Sequence, residues 1–278
     1  MADKEAEDKS AEMSFWGHLD ALRSVLWKAS VVLVVCVVGF FSIMPDLFDS
    51  VILAPCRGDF VLYRLFEKVT QMFPSLPQFT TEGFHVELIN IQLASQFFIH
   101  MSTSFWLALV FSCPVLLYLL WTFVKPALYA NEVRGVKMAF CLGTVMFFLG
   151  VAVGYFIVFP VTLRFLAEYQ VSALVPNQIS LDSYMDTFVG MLFVMGLVFE
   201  LPLVAWTLGA IGLLHREWLR KYRRHAIVAL LVLAAFITPT GDPFTLMVVF
   251  TPLYMLYELS IFFVKPKKDE EEAESLAE

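Results

Sequence analysis

Long apolar runs separated by short polar stretches dominate the chain. Four of them, at about 25–44, 95–124, 138–165 and 184–212, carry hardly a charge through their middles. At about 1.5 Å per residue each can cross about 30 Å of hydrocarbon, so each is predicted to be a membrane-spanning helix. Pro45 with Asp46 is expected to end the first. Two more runs, at 226–239 and 244–264, are odd. Ala226–Ile237 offers twelve apolar residues, about 18 Å of helix, and Pro252 and Glu258 interrupt the other. They read as two short spans that thin the bilayer or as a re-entrant hairpin.

The polar stretches have structure of their own. In the connection 45–94, Leu62, Leu65, Phe66, Val69, Met72 and Phe73 recur at helical spacing, predicting a short amphipathic helix that lies on the membrane surface or caps the bundle. Phe15, Leu19, Leu22 and Leu26 share one helical face ahead of the first span, predicting an amphipathic lead-in along the interface. Gly150 and Gly154, four apart in the third span, allow close helix approach. The expected organisation is a disordered tail at 1–13, a single six-helix membrane domain at 14–264 and an acidic tail at 265–278.

Composition narrows the class. At 59% apolar and 16% charged residues, the chain cannot bury its hydrocarbon in one water-soluble core, which excludes a soluble enzyme. The net charge of -7 sits largely in the two acidic tails. Placing both termini and the connections around 125–137 and 215–225 on one side collects fifteen of the nineteen Lys and Arg residues there, leaving Arg57, Arg64, Lys68 and Arg164 opposite. The positive-inside rule then puts both termini in the cytoplasm, with six crossings. The cysteines Cys36, Cys113 and Cys141 lie in apolar runs and Cys56 in a connection, which argues against a disulfide framework.

Chemistry-bearing patterns are few. A phosphate-binding loop, a His-Glu-x-x-His pair and a Gly-x-Ser-x-Gly elbow are all missing, and the five histidines are scattered, so no catalytic residue, cofactor or metal is expected. Glu200 stands mid-run beside Pro202, where a charged acid costs about 2.5–3.5 kcal/mol or more; it is expected to be protonated, to face a watery cavity, or to hydrogen-bond a neighbouring helix or a carbonyl freed by Pro202. Glu258 is nearer the cytoplasmic end, with Lys265, Lys267 and Lys268 beyond it, and reads as structural. Glu132 is the single acid among Lys125, Arg134 and Lys137 and could receive a cationic ligand. By Glu200 alone the chain could equally be a proton-coupled secondary transporter of a small solute. An intramembrane protease lacks any plausible catalytic constellation within the spans.

His18-Leu-Asp-Ala-Leu-Arg23, Trp121-Thr-Phe-Val-Lys-Pro-Ala-Leu-Tyr-Ala-Asn-Glu132, Tyr155-Phe-Ile-Val-Phe-Pro160, Phe199-Glu-Leu-Pro202 and Thr238-Pro-Thr-Gly-Asp-Pro243 occur in the order and spacing of the TatC family. From about Ser14 to Phe263 the sequence resembles that membrane-embedded subunit of the twin-arginine protein translocase. The resemblance implies an all-α, six-helix, concave bundle in the bacterial inner membrane, not an enzyme. It would recognise the paired arginines of a folded cargo's signal peptide, nucleate the translocation site and draw energy from the proton gradient. Implied partners are single-span TatA-type and TatB-type subunits, twin-arginine signal peptides, membrane lipids and further copies of the chain in the assembled complex, with no nucleic acid.

Carried onto this sequence, the resemblance makes Glu132 the signal-contacting acid, with Phe123 and Tyr129 in the same motif and Arg23 the basic residue of the N-terminal motif. Glu200 becomes the intramembrane acid, Asp242 the acid of the last outer turn, and Pro55 a proline soon after the first helix. The family's usual Glu two residues before Arg23 is Ala21 here; Asp20 stands one position earlier, rotated by about 100° on a helix. Two guanidinium groups ask for two carboxylates, and Glu132 and Asp20 are the candidates.

Overall fold

A proline inside an apolar helix removes one N–H and leaves the carbonyl four residues back without its donor, a cost that hydrocarbon does not forgive. Pro45 does this to Phe41, and in the computed structural model the His100 ring answers it. Nε2 lies 2.9 Å from Phe41 O, and the ring stacks on the Phe41 ring at 4.0 Å. A carbonyl only accepts, so Nε2 carries the proton. With that carbonyl satisfied, helix α1 does not end at Pro45 and Asp46 as the sequence suggests. It runs Phe15–Leu47 and continues into a π turn, Phe48–Ile52. The lead-in is not a separate interfacial helix either, because α1 contains it without a break.

The structure describes residues 15–72, 81, 83–124, 133–172, 174, 177–210, 212–238 and 241–264. The expected tails at 1–13 and 265–278 lie outside them. Helix α2 is Val61–Met72, α3 is Ser95–Val124, and α4, Val133–Val153, passes through a π turn at Gly154–Val158 into α5, Phe159–Glu168. Instead of one run at 184–212, the structure has α6, Leu181–Val198, and α7, Leu201–Ala210, with a turn at Phe199–Glu200. There Glu200 N reaches back three residues to Leu197 O at 3.1 Å, and Pro202, in the first turn of α7, has no N–H to give. Helix α8 is Arg216–Lys221, α9 is Arg223–Ile237, and α10, Pro243–Phe263, runs unbroken through Pro252.

Among the described residues, five stretches are long and apolar enough to cross a membrane: Leu19–Cys56, Ser95–Phe123, Phe140–Glu168, Leu181–Gly209 and Pro243–Phe263. With the 15-residue α9 they form a six-helix, all-α membrane fold. The contacts divide it into two compact units: 1–49 with 94–145, and 50–93 with 146–278. In the first unit α1 packs along α3, and Trp121 of α3 meets Phe140 of α4 with ring centroids 5.7 Å apart.

The second unit is built on a glycine crossing. A Cβ on Gly150 would sit 2.8 Å from Phe199 Cβ and 2.9 Å from Gly196 Cα, and one on Gly154 would sit 3.3 Å from Leu192 Cα. Missing side chains thus let two helix backbones touch, the use expected of small residues four apart. Outward from the crossing, Phe159, Tyr184 and Phe188 pack edge to face, with centroids 5.2 and 5.0 Å from Phe159. Two-residue strands β1, Leu88–Ile89, and β2, Ile179–Ser180, pair in parallel and join the first long connection to the second.

Three tyrosine hydroxyls fasten the segment that leaves the first span. Tyr155 donates to Val51 O at 2.8 Å and Tyr184 donates to Ile52 O. Tyr63 Oη shares its proton between Pro55 O at 3.1 Å and Pro160 O at 3.0 Å. Burial pushes the Tyr63 phenol well above its usual pKa, and the nearby Arg164 guanidinium opposes this more weakly, so the donor stays protonated. The raised folded pKa means that this contribution is full below about pH 10 and is lost as pH rises beyond it. Tyr63→Phe strands two carbonyls in a buried site and is expected to cost about 1–3 kcal/mol in thermal unfolding of the detergent-solubilised protein. Tyr155→Phe, at an exposed bond, is expected to cost less; equal losses would show that the buried pair is not the stronger fastening.

Candidate functional site

Residues singled out in the sequence fall into different parts of the fold. In the first unit, Asp20 and Arg23 lie on the exposed first turns of α1, three residues apart, and line an open groove of about 840 Å³ with Leu19, Leu22, Leu26 and Trp27. Asp20 and Arg23 form no ion pair with each other or with any described residue. Apolar walls carrying one carboxylate and one guanidinium suit an extended peptide of mixed character. Phe123 is half-buried at the end of α3. Glu132 and Tyr129 lie outside the described residues.

Glu200 sits at the α6–α7 turn of the second unit, half-buried, and its Oε1 is enclosed with no hydrogen-bond partner among the described residues. The carbonyl expected to be freed by Pro202 therefore does not engage this oxygen; the backbone turns there instead. Pro202 itself is buried.

Glu258 differs in every respect. Arg223 Nη2 donates to its Oε2 at 2.7 Å and Tyr254 Oη donates to its Oε1 at 2.9 Å. Tyr257 next to it donates to Leu219 O at 2.6 Å. The clamp joins the start of α9 to the last turns of α10. Its cation is Arg223, a partner that sequence proximity, pointing to Lys265, Lys267 and Lys268, did not suggest. Those three lysines lie outside the described residues. Above this pair, Ala226–Ile237 and Pro243–Tyr257 are free of charge, twelve and fifteen residues, or about 18 and 22 Å of helix.

The turn acid has a structural task. Asp242 is the N-cap of α10, its Oδ1 accepting from Thr245 N at 2.8 Å. Pro55 is buried with its carbonyl held by Tyr63.

Comparison with known proteins decides the family. The profile described as "Sec-independent protein translocase protein (TatC)" matches residues 17–252. The chain belongs to the TatC family. A TatC from Blattabacterium sp. subsp. Periplaneta americana is 34% identical over 266 residues, covering 94% of this chain and all of the relative. The TatC of Deinococcus radiodurans is 33% identical over 259 residues, covering 93% of this chain and 88% of the relative. A crystal structure described as the twin arginine translocase receptor TatC superposes with a TM-score of 0.67 at 28% identity, covering 88% of this chain and 97% of that one. This TatC chain is accordingly a multi-pass membrane protein and a component of a Sec-independent protein translocase.

The N-cap generates a test. Asp242→Ala in this TatC should lower stability by about 1 kcal/mol, read by thermal unfolding, whereas Asp242→Asn should keep most of it because Asn also caps. Equal loss in both would give the charge, and not the cap, the decisive part.

Proposed function

We propose that this chain is the signal-recognising subunit and assembly core of a twin-arginine protein translocase, exporting folded cargo at the expense of the proton gradient. The match to the twin-arginine receptor TatC along 88% of the chain is the observation that carries the reading. Both termini face the cytoplasm of a bacterial inner membrane, as the segregation of fifteen of nineteen basic residues supports. The signal peptide meets Glu132, with Phe123 and Tyr129 of the same motif and Asp20 and Arg23 of the α1 groove. Carboxylates take arginine in bidentate fashion, which is why paired arginines are read better than paired lysines. The chain works without catalysis, alongside TatA-type and TatB-type single-span subunits and further copies of itself.

Glu200 takes part after recognition. A carboxyl oxygen in a span with no hydrogen-bond partner among the described residues is an acceptor for a polar group of another membrane helix. The same atom would serve a proton-coupled solute transporter, but that reading leaves the family match over residues 17–252 without an explanation.

Two experiments test the proposal. A photo-crosslinking probe at position 132, in membranes, should capture a signal peptide with Arg-Arg and not the same peptide with Lys-Lys; capture of neither would remove Glu132 from the signal site. Glu200→Gln should fold, bind signal peptide and export more slowly, measured by cargo protection in inverted vesicles. Unchanged export would return Glu200 to a packing role.

A further inference from the structure

Helix α2 begins five residues after Cys56, the end of the first long apolar stretch, so it starts within about 17 Å of the end of that stretch. Phe60, just ahead of it, packs on Tyr155 and Phe156 of the third span with centroids 5.6 and 6.2 Å apart. The start of the helix is therefore held against the third apolar stretch. It buries one arc, Leu62 and Tyr63, against the protein, yet leaves a second apolar arc uncovered. Val61, Leu65, Val69 and Met72 are 65, 54, 40 and 74% exposed and fall within about 80° of one another at about 100° per residue.

The next face round the helix is charged. Lys68 and Arg64 border the uncovered arc, and with Glu67 and Asp59 they line an open cleft of about 690 Å³. Asp59 sits 3.5 Å from Arg64, and Glu67 accepts from Thr81 Oγ1 at 2.6 Å. Two cations and two carboxylates share one cleft beside an exposed apolar stripe. We propose that this cleft and stripe bind a phospholipid with a phosphoethanolamine headgroup. The phosphate lies on Arg64 and Lys68, the primary ammonium donates to Glu67 and Asp59, and the acyl chains run along Val61, Leu65, Val69 and Met72. The carboxylates disfavour a purely anionic headgroup, and choline, which has no N–H, cannot make the ammonium hydrogen bonds. This site is independent of the signal-binding reading and can fail without it.

Native mass spectrometry of the full-length, delipidated protein tests it, with phosphatidylethanolamine, phosphatidylcholine and phosphatidylglycerol of identical acyl chains offered in turn. One phosphatidylethanolamine should be retained in preference to the other two. Arg64→Gln with Lys68→Gln should weaken that retention at least about fivefold, as loss of charge-assisted bonds to phosphate predicts. The Arg64–Asp59 pair is solvent-exposed, so this variant should keep the parent's thermal unfolding, measured alongside. Glu67→Gln should shift preference toward phosphatidylglycerol, and millimolar inorganic phosphate should not displace the lipid. Retention indifferent to headgroup, retention unchanged in the double variant, or displacement by inorganic phosphate would each overturn the proposal.

Discussion

Inside a bilayer an unsatisfied backbone carbonyl has no water to turn to, and the architecture of this chain follows from where such carbonyls arise. Pro45 creates one at Phe41, and the irregular exit from α1 creates more at Val51, Ile52 and Pro55. The donors that meet them are His100, Tyr155, Tyr184 and Tyr63. Each brings an apolar ring that packs in hydrocarbon and a single polar tip that reaches a carbonyl. The first long connection is thereby fixed to the third and fourth spans before any strand pairing. Helix α2 and the β1–β2 pair are positioned as consequences.

The last two helices obey a second constraint of the same medium. The Arg223–Glu258 pair, reinforced by the Tyr254 hydroxyl, places charge at one end of both α9 and α10. Uncharged lengths of about 18 and 22 Å then remain against about 30 Å of hydrocarbon. A bilayer meeting uncharged stretches of that length can thin or the charged ends can snorkel, each at a modest cost.

Much of this was legible in the sequence because its main signals are long-range averages. Apolar runs and the amphipathic spacing of Leu62, Leu65, Phe66, Val69 and Met72 each integrate over many residues, and Gly150 with Gly154 marks a close crossing through spacing alone. What stayed hidden depends on partners distant in sequence. Nothing near Pro45 announces that His100, 55 positions on, repairs its missing bond, so the helix end was misplaced. Nothing near Glu258 points to Arg223, 35 positions back. The break at Phe199–Glu200 was obscured differently: an apolar composition looks the same whether or not the helix through it is continuous. Asp242 carried a capping signal three residues ahead of Thr245, which the family resemblance overshadowed.

The two acids of the late spans show how one residue type is given opposite fates by its surroundings. Glu258 is supplied with a guanidinium and a phenol, so its charge is matched and its geometry fixed, and such a group has little left to offer a partner. Glu200 stands where Pro202 has broken the helix, with an enclosed oxygen that no described residue engages. Keeping a polar atom unsatisfied in an apolar span costs free energy that packing a leucine there would have avoided. Stability therefore explains Glu258 and does not explain Glu200. Packing alone gives no reason for an acid held at such a cost.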